Sequence, residues 1–398
     1  MPRHPAIGFV LTCVFLDALG IGLIIPVLPR LIGNLAVSPD LQTVWYGAIM
    51  TNYGLMQFLF APVLGAISDR IGRRPVLLTG ILGLALMMLV PAYSNSLVAI
   101  LLSRVIGGMM SSNIVVAQAY IADVTTANSR ISSFGKIGAI FGIAFVLGPA
   151  LGGVLGQTNP KIPFMVAGAI CSLNFLYGLF ILPESLQKPD TQPLKLSKLN
   201  AFHAIAKLGT LSGLRPLLVI VTLFTLAQSL MQCTWALYTE YRYQWTPLTI
   251  GLSIFALGIS ISLTQGFILP KLTQRLSAHQ IIKVGLYIGL LTVIVMAFSP
   301  WGFLSLGALC FFAIMGIVGP TIQGQISQRC SETEQGRTMG AISSLNSFTG
   351  AISPLIGTPL LVVTSRYPDS FMLAGMPYLV CGLLLVMAIF TARRSSTC

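Results

Sequence analysis

The chain is 398 residues long, 55% hydrophobic and only 8% charged, with a mean hydropathy of +0.86, and apolar runs of this density do not fit inside one soluble core. These values exclude an ordinary soluble domain and imply a polytopic membrane protein. The formal charge of +13 would suggest a nucleic-acid partner in a soluble protein; here the placement of the charges matters more than their sum, and no nucleic acid is expected.

The apolar runs stay apolar for about 20 residues at a time, which fits spanning helices and not the alternating strands of a barrel. Twelve spans are predicted: 6–32, 43–67, 75–94, 97–122, 133–156 and 162–182, then 215–239, 247–270, 280–299, 301–327, 336–364 and 370–391. The first begins after Arg3, contains Asp17 and runs to Pro29 with no small-residue cleavage site, so it is expected to be a retained helix and not a signal peptide. Two groups of six, 1–183 and 215–398, flank the most polar stretch, 184–214, which reads as a cytoplasmic linker.

With the N-terminus inside, 18 of the 23 Lys and Arg residues fall on the cytoplasmic side and 4 opposite, with Arg104 inside a span, so both termini are expected in the cytoplasm. At an offset of 205 residues Arg70 meets Arg275, Gln118 meets Gln323, Gly135 meets Gly340 and Pro149 meets Pro354, as a duplicated six-helix unit would give. The seven cysteines are scattered without CxxC spacing and read as small packing residues.

In chain order, the first residue that points to function is Asp17, in the middle third of the first span. An ionised carboxylate there costs at least about 2.5–3.5 kcal/mol, so it faces a cavity or a partner. It is either a hydrogen-bonded acid that fixes packing or, the preferred reading, a proton or cation site, because desolvation draws carboxylate titration toward the working pH. Tyr53 and Gln57 share one side of the second span. The stretch GAISDRIGRRP, 65–75, then packs Gly65, Asp69, Arg70, Gly72, Arg73 and Arg74 between two spans. A basic topology signal explains the arginines but not Asp69 or the glycines. Asp69 is a candidate cap for a helix of the other half, and Arg70 a candidate partner of Asp123, which together would hold the cytoplasmic side shut.

Arg104 lies within the fourth span and keeps its charge at neutral pH, so a carboxylate, carbonyls, water or an anionic substrate has to meet it. Ser111 and Gln118 follow it on a partly polar face. In the fifth span Gly148, Pro149, Gly152 and Gly153 predict a close, bent helix interface at a point where a gate would need one. Gln228, Gln232 and Trp235 on the seventh span, Gln323 on the tenth and Asn346 on the eleventh complete a set of candidate cavity residues. Each amide alone is as readily an interhelical hydrogen bond; together they suit an amphipathic organic molecule. The three histidines (His4, His203, His279) lie outside the spans, and no nucleophile–base pair or metal spacing is visible, so neither an enzyme nor a metal site is expected.

These residues resemble the major facilitator superfamily over essentially the whole chain. GAISDRIGRRP is similar to the signature loop between its second and third helices, LGIGLIIPVLP to the first-helix motif of drug exporters, Arg104 to the fourth-helix arginine, and GPALGG to the fifth-helix antiporter motif, with Ala144 where that motif usually has Gly. LDALGIGLIIPVLPRL and AYIADVT are most similar to the tetracycline-efflux branch of the twelve-helix drug:proton antiporters, whose transport path includes the positions of Asp17 and Gln57. The third span has no ionisable residue, the ninth only Lys283 at its edge, and the eighth no histidine. These departures from the branch argue against tetracycline as substrate.

The resemblance implies an all-α fold of two pseudo-symmetric six-helix bundles. It also implies proton-coupled export of an amphipathic drug or endogenous product such as a siderophore, powered by the proton gradient without a cofactor. Asp17 and Arg104 would couple the proton, and a monomer in a bacterial inner membrane would work with substrate, protons and lipid as its partners. Metabolite uptake or exchange, and a non-transporting membrane sensor or scaffold, are the competing readings.

Overall fold

In an apolar surround a backbone has to satisfy its own hydrogen bonds, and the chain does so with helices. The computed structural model describes residues 5–110, 113–125, 127–186, 215–329, 332–370 and 373–394, and no strand occurs among them. The first stretch of chain forms α1 (Pro5–Ile24), α2 (Leu28–Gly33), α3 (Pro39–Ile71), α4 (Arg73–Tyr93), α5 (Leu97–Met110), α6 (Asn113–Val124), α7 (Ala127–Leu155) and α8 (Ile162–Ile181). The second forms α9 (Arg215–Tyr243), α10 (Pro247–Leu263), a π turn (Thr264–Ile268), α11 (Leu269–Thr273), α12 (Ala278–Phe298), α13 (Gly302–Phe312), a 3₁₀ turn (Ala313–Ile317), α14 (Val318–Arg329), α15 (Glu332–Arg366) and α16 (Met376–Arg394). Among the described residues ten helical stretches are long and apolar enough to cross a membrane, and two shorter apolar ones, Gly8–Ile24 and Gly142–Leu155, accompany them.

Several predicted boundaries shift for identifiable reasons. The span expected over 6–32 stops at Ile24 and resumes at Leu28, because Pro26 and Pro29 lack the N–H that a continuous helix needs; the break is bridged by turn bonds three residues apart, from Ile25 N to Gly22 O and Val27 N to Ile24 O. The span expected over 43–67 extends to Pro39–Ile71, so Asp69 and Arg70 are helical and the charged stretch bends only at Gly72. There φ is +110° and ψ 155°, a conformation for glycine alone.

Two compact units divide the chain. The first holds Met1–Ala36, Asn52–Ala201 and Thr246–Phe255; the second holds Val37–Thr51, Phe202–Trp245 and Ala256–Cys398. Of the expected linker, 184–186 are described and 187–214 lie outside the described residues.

Within the first unit α1 packs on α6, α7 and α8, and α4 on α5 and α8. The α1–α7 contact is backbone to backbone: a methyl added at Gly148 would sit 2.8 Å from the Gly22 Cα, and one at Gly152 would fall on the Leu23 carbonyl. On another side of α7, Gly153 and Pro149 lie against the backbone of Pro247–Gly251 at the start of α10. The stretch with Gly148, Pro149, Gly152 and Gly153 is therefore closely packed within an unbroken helix.

Within the second unit α9 packs on α15 and α16, and α12 on α13, α14 and α16. The opening turns of α3 join this unit through polar bonds. Asp40 accepts from Arg366 Nη2 at 2.7 Å and Ser365 Oγ at 3.3 Å, Thr43 Oγ1 pairs with the Tyr241 hydroxyl at 2.8 Å, and the Tyr46 hydroxyl donates to the Cys233 carbonyl at 3.0 Å.

Gly152→Ala drives a methyl into a backbone carbonyl that cannot move aside, and is expected to destabilise the protein by about 1–3 kcal/mol. Gly142→Ala in the same helix meets nothing within 4 Å and is expected to leave stability unchanged or slightly raised. Thermal unfolding of the two variants in detergent reads the difference.

Candidate functional site

Three polar constellations stand out, two in the first unit and one in the second. The first surrounds the bend at Gly72. A helix start leaves N–H groups without partners, and at α4 Glu184 accepts them: Oε1 from Arg73 N at 2.8 Å and Oε2 from Arg74 N at 3.1 Å. The same carboxylate accepts from Ser185 N at 2.9 Å and Leu186 N at 3.0 Å. A Cβ at position 72 would collide with Glu184 Oε2, a second reason for glycine there. Arg73, only 7% exposed, then turns its guanidinium back onto Asp69 Oδ1 at 2.6 Å, Asp123 Oδ2 at 3.0 Å and Ser68 Oγ at 2.6 Å. Ser185 Oγ donates to Asp123 at 3.2 Å, and Arg74 Nη2 to the Leu179 carbonyl at 2.6 Å. Asp123 is thus met by Arg73, and Asp69 pairs with the same arginine one turn along its own chain. Gly65 sits on the preceding turns of α3 beside Val115, at ordinary contact distance.

The second constellation centres on Asp17. Its Oδ1 accepts from Asn174 Nδ2 of α8 at 3.1 Å, and the same amide nitrogen donates to the Cys13 carbonyl at 3.3 Å. A carbonyl only accepts, so it fixes the amide with its N–H groups toward the carboxylate. Asn174 is fully buried and its Oδ1 has no hydrogen-bond partner. Asp17, 9% exposed, also borders a narrow apolar cavity with Leu77, Ile81 and Ala117. Arg104 is buried against Met87, whose sulfur lies 3.6 Å from Nη1. Tyr53 and Gln57 are half-buried on α3, with the Tyr53 backbone against Gly108; Gln118 is exposed on α6, and Ser111 lies outside the described residues.

The third is a cavity of about 190 Å³ within the second unit, walled by α9, α10, the end of α13, the two irregular turns, α14 and α15. Gln228, Gln232, Gln323 and Asn346, four of the candidate cavity residues, line it. Gln265, on the π turn, adds a fifth carboxamide, and Thr225, Phe224, Met231 and Phe312 complete the polar and apolar contacts. No charged side chain is among the lining residues, and Asn346 Oδ1 is buried without a hydrogen-bond partner. Trp235 is not in the wall: it is 2% exposed and packs edge-on against Trp245, ring centres 5.8 Å apart. Gln118 and Gln323, paired by the sequence repeat, are both exposed, on α6 and α14.

The sequence reading missed Asn174, Glu184 and Gln265. Asn174 and Gln265 carry the same signal that drew attention to the other amides, a polar side chain in an apolar run. Glu184 opens the polar stretch 184–214 and so reads as part of the linker.

The family model of the Major Facilitator Superfamily matches residues 10–354. The class C tetracycline resistance protein of Escherichia coli is 34% identical over 386 residues, 96% of each chain, and the class E protein of the same species is 36% identical over 352 residues, 87% of this chain and 85% of that one. The crystal structure of the human organic anion transporter MFSD10 (TETRAN) shares the fold, with a TM-score of 0.71 at 23% identity over 98% of this chain and 100% of that one. A match along nearly its whole length, on a helical fold with apolar spans, makes this chain a member of the Major Facilitator Superfamily, an integral membrane transporter and not an enzyme.

Proposed function

We propose that the chain is a proton-coupled exporter of an uncharged amphipathic organic compound, a drug or an endogenous product, working by alternating access. The observation that carries this reading is the cavity whose wall offers five carboxamides among apolar side chains and no charge. An amide dipole returns the hydrogen bonds of a neutral polar group but does not offset the desolvation of a full charge, so such a wall favours a neutral solute. The tetracycline resistance named for two bacterial relatives is in keeping with a drug-like organic substrate.

In this reading residues 1–183 and 215–398 are the two moving halves, joined by 184–214, in a bacterial inner membrane with both termini in the cytoplasm. The protein acts as a monomer. Asp17, held by Asn174, takes the proton, and Arg104 takes part in the coupling. Proton and substrate drive the cycle by stabilising different states of one protein. The network of Asp69, Arg73 and Asp123 stabilises one of those states, since a guanidinium this buried is costly without its carboxylates.

Purified protein in proteoliposomes under an imposed pH gradient, challenged with a panel of amphipathic compounds, is expected to move protons when substrate is added. Asp17→Asn abolishes that signal. Silence from both proteins alongside counterflow of a metabolite would instead favour an uncoupled carrier. Gln228→Leu and Gln323→Leu each remove one neutral hydrogen bond, and are expected to raise the half-saturation concentration about 2- to 10-fold. Asp123→Asn acts on the state equilibrium and not on the cavity: the maximal rate falls while half-saturation stays within about twofold.

A further inference from the structure

The cavity in the second unit has one wall of a different kind from the others. Ala313, Gly316 and Gly319 line it at a spacing of three, and the first two belong to the 3₁₀ turn Ala313–Ile317. In an α-helix a spacing of three rotates successive side chains by about 60° around the axis; in a 3₁₀ turn they stack directly above one another. The tightened turn therefore aligns Ala313 with Gly316, and the row presents a methyl group followed by bare backbone. A methyl group built on Gly316 would meet nothing within 4 Å, so the space in front of it is open. Gly319, next in the row, faces the Phe224 ring, which its added methyl would meet at 3.6 Å. Of the amides around this smooth strip, Gln265 projects from a π turn, the other departure from α geometry in the wall. The Asn346 oxygen, buried and without a hydrogen-bond partner, still has an acceptor to offer.

Building on the proposed export reading, we infer that Gly316 is a specificity-determining residue and that the row it belongs to is the seat for one face of a flat, uncharged ring system. Rings lie on bare backbone and small side chains because both faces of a flat solute are apolar, while its donors and acceptors sit on the edge. Here the edge meets the carboxamides. The volume agrees in scale: about 190 Å³ exceeds the roughly 150 Å³ that holds a benzene-sized ring. A permanent charge on the ring system gains no counter-charge from the wall. Glycine at position 316 then sets how wide a ring system fits, because any side chain there enters the cavity and not the protein core.

The test reads binding by purified protein, in equilibrium dialysis, of neutral planar compounds with one ring and with two fused rings and matched edge groups. Gly316→Ala and Gly316→Leu are compared with wild type and with Gly307→Leu, whose added side chain also starts in open space but lies away from the cavity. The expected result is a graded loss: Gly316→Leu weakens the two-ring compound at least about 10-fold and the one-ring compound less than about twofold, Gly316→Ala falls between, and Gly307→Leu binds like wild type. The unfolding temperature of Gly316→Ala should match or slightly exceed wild type, since its added methyl meets no neighbour. Permanently cationic and anionic analogues of the best binder should bind at least about 10-fold more weakly than the neutral one. Equal weakening across ring sizes, no weakening at all, absence of binding to wild type, or equal binding of a charged analogue would overturn the inference. Tight, size-graded binding without proton-linked transport would uphold the seat and sink the export reading, so the two fail separately.

Discussion

The amide groups at the start of α4 have no partners within their own helix, and one carboxylate, Glu184, takes both Arg73 N and Arg74 N. Much of the first unit's charged architecture follows from that bond. Because Glu184 stands so close, position 72 has to lack a side chain, and because it lacks one the chain can turn through a φ of +110° without a loop. α3 and α4 can then follow each other with a single residue between them. That geometry sets Arg73 opposite Asp69 on the helix before it and Asp123 at the end of α6.

The molecule keeps two kinds of polarity in different places. Full charges gather at helix ends, where Asp69 is 49% and Asp123 26% exposed at the side chain and water shares the cost of holding them. Inside the apolar spans the polar groups are mostly neutral carboxamides. Asp17 is an exception, and it is met by Asn174, whose orientation is in turn imposed by the Cys13 carbonyl. A bound amide nitrogen can serve a carboxylate and a carbonyl at once because it carries two hydrogens. Its own oxygen is left without a partner, a local cost that the rest of the packing bears.

Composition and periodicity made the helical membrane fold legible, because a backbone in lipid has few other ways to satisfy its hydrogen bonds. The cavity amides Gln228, Gln232, Gln323 and Asn346 were legible for a related reason: polar side chains in apolar runs need a purpose. Spacing alone could not separate Trp235 from them, since an indole at the same helical face packs as well against Trp245 as against a ligand. Nor could it single out Arg73 as a partner of Asp123. That pairing depends on α3 staying helical to Ile71, and propensity did not forecast a helix running through so many charges. Asn174 and Glu184 act across distances of 157 and 111 residues in the chain, which no local pattern encodes.

The compact units trade short stretches of chain: Val37–Thr51 packs with the second and Thr246–Phe255 with the first. The polar opening turns of α3 find Arg366, Ser365 and Tyr241, and the backbone at the start of α10 finds Gly153 and Pro149. Severed in the 184–214 connection and produced as separate pieces, each fragment would emerge from the ribosome with one helix end whose cover is encoded on the other. Each fragment alone would then lack part of the packing around one of its helix ends, and only a membrane holding both could restore it.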